Sequence, residues 1–193
     1  MERYYYHGLE FWPDTEDSPL QIIIDIIKSG AIKTRSSLSG DIKEGMNHIC
    51  LYKKDETVDY SNRDIITKMS ALDGWINNCM VFIISPTINA YQPMQKKQYS
   101  RENGETNIFD EWRINENIPL EKIVGLALPL TQIEELSQEE WIDNDTYQKL
   151  YLEKLNELII IAKEYGWIIV NSDEPNFTDK LDATLSSTEN KLD

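Results

Sequence analysis

Residues 4–8, Tyr-Tyr-Tyr-His-Gly, decide how the rest of the chain is read. Rings in succession suit a pleated, half-buried surface, so residues 3–7 are predicted as a first strand. Gly8 lets the backbone turn sharply or lets another group approach it closely. His7 is one of only two histidines in 193 residues, and it stands at the mouth of that strand. It is either a satisfied, partly buried ring or part of a site, and the remaining sequence has to separate the two.

Outward from this strand, SPLQIIIDIIKS (18–29) is predicted as a helix. Ser18 is placed to cap it, Pro19 suits its first position and Gly30 its stop, although its β-branched isoleucines resist the helix slightly. Residues 33–45 are polar and loop-like, HICLY (48–52) is a short apolar strand, and residues 63–76 hold one or two helical turns. CMVFIIS (79–85) is the clearest strand of the chain. The polar stretch 92–108 shows little periodicity and is predicted as a loop, of a length that in compact domains often serves function.

EWRI (111–114) follows as a strand, and IPLEKIVGLALPL ends in another, closed by Pro129. A long helix is predicted from Asp145 to Tyr165, with Leu150, Leu155, Leu158 and Ala162 near one face and Gly166 as its end. Trp167–Val170 forms a late strand, and from Asn176 the chain turns polar. The expectation is a mixed α+β domain over 1–175 with a flexible tail over 176–193.

Composition narrows function. Thirty-four acidic residues against 19 basic give a net charge of −15. This argues against general affinity for nucleic acid or anionic membrane, because phosphate binding rests on Lys and Arg, and permits the reverse, an acidic surface that seeks a basic partner. Cys50 and Cys79 sit in apolar surroundings without ligand spacing, so no disulfide framework or zinc site is expected. No charged-then-apolar leader opens the chain and its apolar runs fall short of the ~20 residues that span a bilayer, so a cytoplasmic protein is expected.

In an extended FDEWRI, Glu111 and Arg113 share one face while Trp112 and Ile114 share the other. A carboxylate at a strand start, just after a long loop, is a common place for a functional acid. It is equally the pattern of a solvated Glu–Arg face on an edge strand.

Order and local pattern together carry a resemblance. Tyr-His-Gly on a first strand, a helix ending IIKSGAI, the strand in GMNHICLY, then a late glutamate before IPLEKIVGLALP resemble the ADP-ribosyltransferase fold over roughly residues 4–129. The similar branch includes diphtheria-like toxins and poly-ADP-ribose polymerases. The resemblance implies a split β-sheet core with flanking helices, here with a C-terminal helix–strand extension. It also implies an enzyme that cleaves NAD and transfers ADP-ribose to a protein or nucleic-acid acceptor, in the manner of a toxin, effector or phage-borne modifier, with delivery into another cell left open.

Residue by residue, the resemblance implies that His7 bonds a ribose hydroxyl of NAD and that the backbone of Gly8 holds the nicotinamide carboxamide. The family's middle strand, which presents a tyrosine or serine to the nicotinamide ring, falls on Cys50 or, with a shift, on Tyr52. Ser70 and Trp75 match the small-residue helix that follows, and Glu111 matches the catalytic glutamate. Arginine-modifying members carry a second acid two residues earlier; here Phe109 stands there, which disfavours that branch. Tyr6, Tyr52 or Trp75 could wall the nicotinamide, and Lys33 and Arg35 could meet the cofactor phosphates. The alternative is a non-catalytic protein whose acidic surface occupies a basic or nucleic-acid-binding partner by charge mimicry.

Overall fold

The computed structural model describes residues 4–10, 18–34, 47–53, 79–92, 98–100, 106–108, 111–174 and 181. The expected helical turns at 63–76 lie outside these residues. So do Arg35, Ser70 and Trp75.

The aromatic opening is strand β1 (Tyr5–Glu10), followed by helix α1 (Pro19–Lys28). Leu20, Ile23, Ile24 and Ile27 recur at helical spacing and are all buried. Each buried side chain contributes about 1.5–3 kcal/mol, whereas an isoleucine costs a helix less than about 0.7 kcal/mol in propensity. Packing therefore decides the helix. Ser18 does not cap it through its side chain: the Gln21 N–H bonds the Ser18 backbone carbonyl at 2.9 Å, and the buried Ser18 hydroxyl has no hydrogen-bond partner among the described residues.

Strand β2 (Ala31–Ile32) pairs antiparallel with β8 (Ile118–Pro119) in a small separate sheet. The main sheet has six strands: β1, β3 (Ile49–Lys53), β4 (Cys79–Ile84), β7 (Glu111–Ile114), β9 (Ile123–Leu128) and β10 (Ile168–Asn171), ordered β10-β9-β4-β1-β3-β7. Neighbours pair antiparallel except β10, which runs parallel to β9, so the sheet is mixed and the architecture α+β. The predicted late strand is thus an edge of the main sheet. Within 92–108, expected as a loop, β5 (Gln98–Ser100) and β6 (Thr106–Ile108) form a hairpin. Three residues a side are too few for alternation to show in sequence.

Between β9 and β10 the chain forms α2 (Leu130–Glu135), α3 (Asn144–Tyr147), a π-helical turn (Gln148–Leu152) and α4 (Glu153–Tyr165). The predicted single helix is therefore rephased midway. A π turn inserts an extra residue per turn, and the buried face becomes Tyr147, Tyr151, Leu158 and Ala162. Leu150 and Leu155 only flank it. Gly166, at φ +69, ends α4 in the left-handed conformation, and the Trp167 N–H reaches back to the Ala162 carbonyl at 2.7 Å.

The two sheet faces are unequal. One carries Tyr5, Leu51, Phe82, Ile114 and Leu126 into the main core under α1 and α4. The other carries Tyr6, Val81, Ile83 and Ala127 into a smaller cluster closed by Leu181, a fully buried residue of the polar tail. No helix among the described residues is long and apolar enough to cross a membrane.

Candidate active site

Sheet order brings together the three strands that carry the predicted residues. β1 holds His7 and Gly8, β3 holds Cys50 and Tyr52, β7 holds Glu111, and the sheet order sets them side by side. Tyr6 pairs with Tyr52, which pairs with Glu111.

The β1–β3 ladder stops there. It consists of Tyr5 opposite Lys53 and Tyr6 opposite Tyr52. Yet β1 continues along β4 to Glu10, and β3 continues along β7 to Ile49. The sheet therefore parts between β1 and β3 immediately past Tyr6, and His7 is the first residue of the opening. Its Nδ1 lies 2.9 Å from the Cys50 carbonyl oxygen, so the side chain takes a backbone acceptor where pairing ends.

A carbonyl only accepts, so Nδ1 carries the proton in this bond. Burial of the partly exposed ring disfavours its charged form and lowers its pKa below the ordinary 6.5, outweighing the opposite pull of the Cys50 carbonyl. A neutral ring protonated at Nδ1 leaves Nε2 as an acceptor. His7 is thus set to receive a hydrogen bond from a hydroxyl.

Alternation places His7 in register with Phe82, on the face of the main core. Position 111 shares the row of Tyr6 and Tyr52, one step along and of opposite parity. Two strand spacings, about 10 Å, separate β1 from β7. By register, position 111 lies on the face of Tyr6 and the smaller core, opposite the face that His7 shares with Phe82, so a ligand meeting both has to pass between the two faces where β1 and β3 part.

Around His7 the main-core face holds an aromatic corner that the sequence reading missed. Tyr5 and Trp112 meet edge to face, with ring centroids 5.5 Å apart. The Lys53 ammonium lies 4.9 Å from the Tyr5 ring centre and 5.4 Å from that of Trp112. The signal was present: period two from Glu111 puts Trp112 on the opposite face, in register with Leu51. Tyr6, proposed as a nicotinamide wall, is packed into the smaller core at 3% exposure and has no free ring face to offer. Cys50 is partly exposed and not part of a disulfide. Lys33 follows β2, in the separate small sheet rather than beside His7. Among the described residues no cluster of His, Cys, Asp or Glu could hold a metal ion. No protein-family model matches the chain, and no curated protein matches it.

Proposed function

We propose that this protein is an ADP-ribosyltransferase that cleaves the nicotinamide–ribose bond of NAD and transfers ADP-ribose to a macromolecular acceptor. The observation that supports it most is the neutral His7, tied through Nδ1 to the Cys50 carbonyl at the point where β1 leaves β3. Its free Nε2 accepts a hydrogen bond from a ribose hydroxyl, and the backbone of Gly8, next in the opening, holds the carboxamide.

The C–N bond to nicotinamide breaks with both electrons leaving on nicotinamide. The acceptor's nucleophilic atom forms the new bond to the ribose carbon and gives up its proton. Positive charge grows on the ribose only as the bond breaks, so a fixed carboxylate there favours the transition state over the ground state. Glu111, level with the last β1–β3 pair, supplies that carboxylate in this reading. Water must be kept out, or NAD is merely hydrolysed.

The test is a thermal melt with and without millimolar NAD, beside an assay for released nicotinamide. A ligand that binds only the folded state adds about 2.7 kcal/mol at a hundred times its dissociation constant. A raised Tm with nicotinamide release is expected. The absence of both the shift and the release would remove the proposal.

A further inference from the structure

Lined by no residue of β1, β3 or β7, a groove of about 840 Å³ runs between α4 and the end of α1. Its α4 wall is a single helical stripe: Glu153, Asn156, Glu157, Ile160, Ile161, Glu164 and Tyr165. These positions recur three and four apart, so they form one continuous face. That face runs roughly 18 Å, the length of three helical turns.

The stripe is unlike an ordinary solvated face. Ile160 is 59% exposed; Tyr165, 50% exposed, stacks one ring face on Trp167 with centroids 4.8 Å apart and leaves its exposed part to the groove, while Ile161 packs on the main core. Ile27 and Leu120 complete the apolar lining from the opposite wall. Gly30, with no side chain, leaves that wall open beside the apolar end. Single exposed apolar residues are common; a row of them along a groove marks a place where another surface packs.

Charge identifies the kind of surface. The lining carries three carboxylates against one ammonium, that of Lys28. Lys28 already shows how the rim receives a cation, with Nζ 3.1 Å from Oε1 of Glu157. Glu153 and Glu164, at the two ends of the stripe, have no ion pair among the described residues. A segment that fills this groove needs an apolar ridge for Ile160 and Tyr165 and cations at both ends for Glu164 and Glu153.

We infer that the α1–α4 groove docks a basic amphipathic helix of a partner protein, about three turns long, with its apolar ridge on Ile160 and Tyr165 and its Lys or Arg residues on Glu153 and Glu164. This is recognition of a helix in a groove, with apolar anchors giving affinity and the carboxylates giving polarity and register. It does not depend on cleavage of NAD. It also differs from charge mimicry spread over the whole acidic surface, because it needs helical periodicity in the partner as well as positive charge.

The probe is a labelled synthetic helix with the repeat LKKLLKL written twice, titrated by fluorescence anisotropy at physiological salt, where diffuse attraction is screened. Saturable binding is expected, at least about tenfold tighter than for a scrambled peptide of the same composition. Ile160→Asp, which keeps the surface acidic, and the double reversal Glu153→Lys/Glu164→Lys should each weaken binding by at least about tenfold. All three side chains lie at the surface, and unchanged melting of either variant keeps the comparison sound. Equal binding of the scrambled peptide, undiminished binding by the variants, or no binding at all would each overturn the assignment. So would a wild-type dimer in sedimentation that Ile160→Asp dissociates, since the occupant would then be a second copy of the chain.

Discussion

His7 and Cys50 are joined across the opening of the sheet: the imidazole Nδ1 donates to the Cys50 carbonyl at 2.9 Å, one residue beyond the last β1–β3 pair. A backbone acceptor left by the end of a ladder is satisfied by a side chain rather than by the next strand residue. This one bond fixes the tautomer of His7 and holds its ring at the opening. It also ties the histidine to the strand that pairs with Glu111.

The partly buried, neutral ring makes stability depend on pH. The folded pKa of His7 lies below 6.5, so between that value and 6.5 the unfolded chain binds more protons than the folded one. Its contribution is complete above 6.5 and is lost as pH falls, with a slope of at most about 1.4 kcal/mol per pH unit for one proton. Urea melts between about pH 7.5 and 5.5, above the range of ordinary carboxylates, should show falling stability in the wild type and a flatter profile in His7→Gln. A flat wild-type profile would mean that the ring is solvated.

Glu111→Gln keeps shape and removes charge. In the proposed reaction it should lower nicotinamide release by at least about a hundredfold, the scale set by removing one group that stabilises transition-state charge. The Tm should stay close to that of wild type, since the substitution conserves side-chain volume. Undiminished release would take Glu111 out of the reaction.

Gly125 sits where β9 passes β10, and no larger residue fits. An added Cβ would lie 2.6 Å from both the Cγ1 and the backbone oxygen of Ile168. Because one obstacle is backbone, Gly125→Ala should force the two strands apart and cost about 1–3 kcal/mol. Combining it with Ile168→Ala removes only the side-chain clash, so recovery should be partial. Calorimetry of the two variants checks this.

Leu181 is fully buried against Tyr6, Val81, Ile83 and Ala127. Leu181→Ala should therefore cost about 2–5 kcal/mol, the range for truncating a core leucine. In a domain of this size that lowers Tm by roughly 5–15 °C. An unchanged melt would show that the tail contributes nothing to the smaller core.

Much of the fold was legible because its signals are local. Alternation and β-branched runs marked β3, β4, β7 and β9, and Pro19 with Gly30 and Gly166 bounded the helices. These features act over one to four residues, so the chain itself specifies them. The α+β class followed from the same patterns. Period two around Glu111 also put Trp112 and Ile114 on one face, and both pack on the main core.

What the tertiary structure decided involves partners distant in sequence. Tyr147 and Tyr151 replaced Leu150 and Leu155 on the buried face because a π turn rephased the helix against the core, which no periodicity on its own prescribes. The β5–β6 hairpin is too short to pattern, and Leu181 gains its place only from the sheet beneath it. At the site, the sequence supplied His7, Gly8 and Glu111 as residue types. The placing of their strands on either side of β3, the parting of β1 from β3, and the bond from His7 to a carbonyl 43 residues away came from strand order. A strand's own residues determine that it is a strand; which neighbour it pairs with, and where that pairing ends, is fixed by the packing of the whole.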